Sequence, residues 1–475
     1  MIILVSSKIS HSTIHASLGK PEYSYFFLMR DFLPALERIG QVIQVASVEE
    51  IQELHARYSA QGQAVVFLSV SPPHQTPLDL HCPTVTLFAW EFDSLPDTAW
   101  EANPQNDWRY VFARSHGAIC TSQETAHLVT AAAGPDFPVI ALPAPIWDRY
   151  AALGTDAGWT CTLTERDFPF AGTLIDSPTL GLSADGLVQK PPVPGAVPQP
   201  APPAPRLALR RAVQLTRGLL GGWWREVRPQ RYKDRAREAA AAEAARPKPV
   251  TVSGVVYSTV LNPADGRKNW VDLITAFCWA FKDTEDATLI VKMTHHDLEY
   301  YRIVLLTLLS RLAPFRCRVL VLHGFLKDEQ YQALIRASSY YVNASTGEGL
   351  CLPLMEFLSG GKPVIAPAHS AMADYLNEQL AFLLRTSLEP ACWPHDPTGM
   401  LHTHRHRLNW QSLMEAFRHS YAVARDNPQR YQQMSRQAYV QMRDFASIDQ
   451  VGKPLEAFLQ HVLEHATRNH KEMVP

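Results

Sequence analysis

The sequence predicts an α/β protein built from two doubly wound halves, and three observations predict it. Short apolar runs alternate with amphipathic stretches over the first ~145 residues, and the same alternation resumes near residue 251. Between them lies a proline-rich segment followed by a basic one. The length, 475 residues, exceeds one typical domain and suits two or three, each able to bury its own core.

In the first half the strand-like runs are IILVSS, VIQVA, AVVFLSV, TVTLFAW, GAICTS and VIALPAP. YSYFFLMRDFLPALERIG and VEEIQELHARYSAQG separate the early ones with helical periodicity, and Gly40 and Gly62 are suited to end those helices. Residues 191–205, PPVPGAVPQPAPPAP, hold eight prolines in fifteen positions, a composition that excludes a helix or central strand and marks a linker or disordered insert. Residues 206–235 carry nine Arg or Lys against two acids, with Trp223 and Trp224, and form no clean amphipathic stripe. The second half runs through TVSGVVYST, ATLIVKMTH, CRVLVLHGF, SYYVNAS and KPVIAP, with WVDLITAFCWAF and KDEQYQALIRA as helices between them. Polar amphipathic helices are expected after residue 408. The resulting division is 1–150 for the first domain, 151–248 for an insertion, 249–440 for the second domain, and 441–475 for a helical tail that packs back on the first.

Composition excludes some classes. A formal charge of −2 and a pI near 6.8 leave no global basic field, so a dedicated nucleic-acid binder is not expected. Seven cysteines, at 82, 120, 161, 278, 317, 351 and 392, show no metal spacing and fit a reducing cytoplasm. The start MIILVSS lacks a positive flank and is too short for a signal-peptide core, and no apolar run is long enough to span a bilayer.

Ligands of doubly wound sheets sit beyond the carboxyl ends of the strands, so the loops after strands matter most. STGEGLCLPLMEFLSGGKPVIAP, residues 345–367, follows the strand YYVNAS. Gly347 and Gly349 permit a tight turn, and a helix starting near Leu350 would aim the backbone N–H groups of Gly349, Leu350, Cys351 and Leu352 at an anion. Glu356 would then lie about two turns along that helix, where a carboxylate accepts two hydrogen bonds from a diol such as ribose. Glu348, in the turn, would reach another part of the same ligand. On spacing alone, a helix-dipole partner at Glu348 and a surface residue at Glu356 account for the pair equally well.

The stretch Glu348-Gly-Leu-Cys-Leu-Pro353, then Met355-Glu356, then Gly361-Lys-Pro-Val-Ile-Ala366, together with the upstream GFLKDEQYQALIRAS, resembles the donor-binding domain of GT-B glycosyltransferases of the family 4 type, with their E-x7-E frame. The resemblance covers about 45 residues. It implies two Rossmann-like domains facing across a cleft, a retaining hexosyl transfer from a nucleotide sugar, Glu356 on the ribose and Glu348 near the sugar. It also implies that side-chain cations replace a metal ion, and no further cofactor. Cys351 stands where many members have glycine.

NPADGRKNWVDLITAF resembles the family segment that brings cations to the donor phosphates: Lys268 matches its Lys, while Asn262 stands in place of the usual strand-end Arg. Arg267 or Lys292 is positioned to restore the missing charge. Arg267 and Lys268 also suit plain surface charges at a helix start. The acceptor is expected on the first domain, at Gly19, Glu22 and Tyr23 after the first strand and at Trp90 and Glu91 after the fourth, an aromatic beside a carboxylate being suited to a sugar. Buried packing is the other reading of Trp90, and a structural role is expected for His116. His395, His402, His404 and His406 suggest a polar surface loop rather than a metal site. The 206–235 segment has two readings, a solvated connector or a patch for an anionic membrane surface at the inner face. The acceptor is left as a glycan, a lipid-linked sugar or a protein. A sugar-nucleotide epimerase, a phosphorylase-like enzyme or a silent glycan-binding scaffold are the alternatives.

Overall fold

A computed structural model describes residues 1–7, 23–156, 158–180, 182, 246–295, 298–393, 396, 399 and 401–472. Gly19, Glu22, His395 and the 191–235 segment lie outside these residues, as does the side chain of Tyr23.

The first domain alternates β1 (Ile2–Ser6), α1 (Tyr23–Ile39), β2 (Gln41–Gln44), α2 (Val48–Ser59), β3 (Val65–Val70), β4 (Thr84–Phe88), α3 (Trp108–Phe112), β5 (Gly117–Cys120), α4 (Gln123–Ala133), β6 (Val139–Ala141) and α5 (Trp147–Asp156). Its strands form one parallel sheet in the order β2-β1-β3-β4-β5-β6. The near-continuous apolar runs seen in the sequence follow from this: β3 and β4 are buried along their whole length, because helices cover both faces.

Residues 166–176 leave the first domain. β7 (Arg166–Phe170) pairs antiparallel with β9 (Lys248–Val252), and β8 (Thr173–Asp176) adds an antiparallel edge to the second sheet. The second sheet therefore begins inside the region expected to be pure insertion, an edge strand too short and too polar to stand out in sequence. Its remaining elements are β10 (Val255–Leu261), α6 (Trp270–Ala280), β11 (Ala287–Met293), α7 (Leu298–Leu312), β12 (Arg318–His323), α8 (Asp328–Ala337), β13 (Tyr340–Val342), α9 (Leu352–Ser359), β14 (Val364–Ala366) and β15 (Ala381–Leu383). The order is β15-β14-β13-β10-β11-β12-β8. β10 pairs with β11 on one side and with β13 on the other, which makes the gap between β10 and β13 the point where the chain reverses its direction of winding.

A hairpin, β16 (Thr386–Cys392) and β17 (His402–Leu408), precedes the closing helices α10 (Trp410–Asp426), α11 (Pro428–Ala446) and α12 (Ile448–Glu472). The expected polar histidine loop is thus a strand, and the every-second-residue spacing of His402, His404 and His406 is strand periodicity. α12 crosses back to the first domain: Val451, Leu455, Leu459 and Val462 share one apolar cluster with Leu28 and Phe32 of α1. That cluster also holds Leu354, Phe357 and Leu358 of α9, so a single apolar core joins the two domains. Among the described residues no helix is long and apolar enough to cross a membrane.

Candidate functional site

The loops after β10 and β13 leave the switch point side by side, which brings together residues 80 positions apart. After β10, Asn262 Oδ1 accepts from Ala264 N at 3.1 Å and Asp265 Oδ1 accepts from Arg267 N at 3.1 Å, folding a tight turn. Asn269, in the left-handed region at φ 47°, then starts α6. The turn lifts Arg267 and Lys268 off the strand end.

After β13, Asn343 organises the second loop. Its Oδ1 accepts from Ser345 N at 2.7 Å, and its Nδ2 donates to Glu348 Oε1 at 3.1 Å and lies 3.0 Å from Cys351 Sγ. Glu348 is 4% exposed. Lys268 Nζ donates to both its oxygens, at 2.7 and 2.9 Å, and Ser345 Oγ donates at 2.5 Å. Burial alone would raise the Glu348 carboxyl, but Lys268 and Arg267, with the Lys268 and Ser345 hydrogen bonds, hold it down to about 2. The ammonium of Lys268 is desolvated, yet Glu348 raises it above its ordinary value. At neutral pH the pair is ionised.

Arg267 completes the cluster. Its guanidinium lies 2.7 Å from Asp265 Oδ2, 3.2 Å from Glu91 Oε1 and 3.8 Å from Glu348 Oε2, and donates to Gly347 O at 2.6 Å. Arg267 is thus the second cation, beside Lys268, that the loop after β10 brings to Glu348. Lys292 does not join it: the side chain is buried at the end of β11, donates to Thr294 Oγ1, and is pushed down to about 8 by desolvation. Its charge registers on His323 of the neighbouring strand.

α9 begins at Leu352, two residues later than expected, with Cys351 as its N-cap. Glu356 is consequently little more than one turn along the helix. It is 6% exposed, and accepts from Tyr331 Oη at 2.6 Å and Tyr150 Oη at 3.1 Å. Burial raises its carboxyl, and so does the nearby Asp31, while Arg30 opposes them. Asp31 on α1 is itself buried and salt-bridged to Arg30 at 2.8 Å and to Arg149 at 3.5 Å; Arg149 also pairs with Asp328 of the second domain. Asp31 Oδ2 and Arg30 Nη2 are buried without a hydrogen-bond partner.

The two glycines act differently from expectation. Neither Gly347 nor Gly349 has a positive φ; the left-handed residue is Cys351, at φ 64° and ψ 58°. What the glycines permit is close approach of the first domain: a Cβ on Gly347 would lie 2.7 Å from Glu91 O, and one on Gly349 would lie 2.8 Å from Trp90 N. Thr121 Oγ1 donates to Gly349 O at 2.5 Å across the same seam.

On the first domain Glu91 faces this cluster through Arg267, whereas Trp90 does not present a ring for stacking. Only 8% of it is exposed, its Nε1 donates to Ser94 O at 2.7 Å, and Phe92, Trp108 and Trp393 surround its ring at centroid distances of 5.0, 4.5 and 5.5 Å. Trp90 is packing, because Trp393 from the hairpin region covers it. Asp93 instead meets the hairpin, accepting from Thr403 Oγ1 at 2.7 Å and His404 N at 2.8 Å and lying 2.8 Å from His404 Nδ1. His116 Nδ1 accepts from Thr84 N at 3.1 Å, a link within the sheet.

Sequence reasoning missed Asn343, Ser345, His369 and Ser370. Ser370 Oγ accepts from Glu348 N at 3.0 Å, so its hydroxyl proton is available to His369 Nδ1 at 3.0 Å; His369 Nε2 then donates to Ser345 O at 3.1 Å. Burial, helped by His406 stacked 4.1 Å away, pushes His369 down to about 4, so the ring is neutral and props the Glu348 loop. Its position just after β14, at another strand end, was the available signal.

No family model matches the chain, and no curated protein matches it. Solved structures do. Anabaena Alr3699/HepE in complex with UDP and glucose superposes with a TM-score of 0.52 at 13% identity, covering 97% of this chain and 100% of that one. The same protein in complex with UDP-glucose gives 0.51 at 14% identity, with 97% and 100% covered. Sucrose-phosphate synthase from Thermosynechococcus elongatus gives 0.49 at 12% identity, with 98% and 99% covered. The HepE matches show the fold: this chain is of the GT-B type, two Rossmann-like domains facing across a cleft.

Proposed function

We propose that the chain is a retaining glycosyltransferase that moves a hexose-type sugar from a nucleotide-sugar donor to a glycan, lipid-linked or protein acceptor, in the cytoplasm and without an essential metal ion. The observation that carries this reading is the meeting of Arg267, Lys268 and Glu348 at the switch point of the second sheet, beside the amino end of α9. Breaking the bond between a sugar and a nucleoside diphosphate places new negative charge on the phosphate oxygens. Two fixed cations in a desolvated site stabilise that charge without reorganising, a contribution of about 3–4 kcal/mol per well-placed donor. In this reading Glu348 orients Lys268 and faces the sugar, and the amides of Gly349, Leu350, Cys351 and Leu352 face the phosphates. Glu356 takes the ribose hydroxyls in place of the two tyrosine hydroxyls it now accepts from. Glu91 stands on the acceptor side.

Two facts support the donor class. The E-x7-E frame resembles that of family 4, from which retention is carried over. HepE, which shares the fold, was solved with UDP, with glucose and with UDP-glucose. Here Glu91 of the first domain and Asp265 of the same loop hold Arg267, so a donor phosphate would compete with both carboxylates for it.

The test is a panel of nucleotide sugars incubated with wild type, Lys268→Ala and Glu356→Ala, following release of free sugar with and without EDTA. Slow hydrolysis of one donor, insensitive to EDTA, lowered 10²- to 10³-fold in Lys268→Ala and yielding first the anomer of the donor's configuration, is expected. An inverted product, or EDTA-sensitive turnover, would overturn those parts of the reading.

A further inference from the structure

The carboxyl-end loops of the first sheet line an open cavity of about 550 Å3 that shares no residue with the Glu348 cluster. This lies within the roughly 300–1,000 Å3 of small-ligand sites. It is built from the start of α2 after β2, the loop after β3 and the loop after β4 that leads into α3.

Its chemistry is specific. Gln75 Oε1 is buried without a hydrogen-bond partner, but it lies behind the cavity wall, so the polar groups a ligand meets are those of Asn103, Gln105, Asp79 and Tyr110. Asn103 spends its Oδ1 on Gln105 N at 3.1 Å, and Gln105 spends its Nε2 on Thr76 O at 3.0 Å. Each amide is thereby oriented and keeps its other end, a donor on Asn103 and an acceptor on Gln105. The ring of Tyr110 is held by Arg114, whose guanidinium carbon lies 3.6 Å from the ring centroid. Asp79 adds a carboxylate, and no Lys, Arg or His is among the described residues that line the cavity.

Fixed amides of both polarities, one carboxylate and one half-buried phenol, with the one nearby guanidinium, Arg114, packed on the Tyr110 ring and not among the lining residues, disfavour phosphates and other anions. They suit a neutral, many-hydroxyl ligand with an apolar ring face. We infer that this cavity is a binding subsite for a neutral saccharide, separate from the donor site. Trp108 links it to the reaction cleft: its Nε1 lies 3.3 Å from His74 Nδ1 beside Gln75, and its ring packs 4.5 Å from Trp90, the neighbour of Glu91. A sugar held here is on the domain of the proposed acceptor, with Trp108 between His74 and Trp90, which suits an acceptor glycan longer than one residue. Its role toward an acceptor rests on the proposed transferase reading; saccharide binding at the subsite does not.

The experiment is saturation-transfer NMR on the full chain with maltose, cellobiose and N-acetyllactosamine, each alone and with excess UDP. The proteins compared are wild type, Gln105→Ala and Tyr110→Ala, each checked for a wild-type melting curve. Transfer to at least one disaccharide, unaffected by UDP and reduced at least fivefold in Gln105→Ala and Tyr110→Ala, is expected. No transfer to any of the three, wild-type transfer in both variants, or displacement by UDP would overturn the subsite. Absence of binding by UDP, GDP and ADP alike, with disaccharide binding intact, would overturn the transferase reading and leave the subsite standing.

Discussion

At the scale of single residues, the site depends on Glu348 being ionised while buried. Its carboxyl sits at about 2 in the folded chain, against about 4.3 for a free glutamate. A depressed acid contributes stability that is fully present above the unfolded value and is lost as pH falls through the folded one. That contribution, about 3 kcal/mol by this difference, should disappear between about pH 4 and pH 2. Glu348→Gln should therefore flatten the dependence of unfolding free energy on pH in that window by up to about 1.4 kcal/mol per unit, read from urea melts; an unchanged slope would mean the carboxyl is not ionised against Lys268. Cys351 carries a different constraint. A side chain at φ 64° tolerates glycine and resists branching at Cβ, so Cys351→Gly should change stability by less than about 1 kcal/mol, while Cys351→Val should cost about 2 kcal/mol. Cys351, where many members of the resembled family have glycine, is thus a backbone position held by a hydrogen-bonding neighbour, Asn343.

At the scale of elements, much was legible where periodicity was strong. The buried parallel strands β3, β4, β10 and β11 announced themselves as unbroken apolar runs, and the loop joining β13 to α9 did so through its glycines and Glu348, with Glu356 following inside the helix. What was not legible depended on long-range contact. β8 is an edge strand of four residues whose partner, β12, lies about 140 positions away. The β16–β17 hairpin was hidden because polar, histidine-rich strands lack an apolar face, and its purpose appears only in three dimensions, where Thr403 and His404 grip Asp93 of the other domain. Glycines 347 and 349 were noticed for the wrong reason: the requirement is space beside Glu91 and Trp90, not torsion. Gly349→Ala should then push the domains apart, seen as a larger radius of gyration in solution scattering without ligand, with a loss of about 1–3 kcal/mol from the strained contact. An unchanged radius and melting temperature would show that the seam yields without opening.

At the scale of the whole molecule, the two sheets meet in a closed arrangement. One apolar cluster runs from α1 through α9 to α12, and polar ties cross the seam at Arg267–Glu91, Asp93–His404 and Arg149–Asp328. A protein carboxylate from the first domain thus lies on a cation assigned to the donor phosphates. Glu91→Ala should remove that competition and tighten binding of a nucleoside diphosphate several-fold while lowering transfer, with both effects read on the same preparation. The most direct test of the central claim, that the β10–β13 switch point is a nucleotide-sugar donor site, is calorimetric titration of the full chain with UDP, GDP and ADP. The expected result is one diphosphate that binds at a single site, more than tenfold weaker in Lys268→Ala and unchanged in Gln105→Ala. Binding of none of the three, or equal binding by wild type and Lys268→Ala, would contradict it.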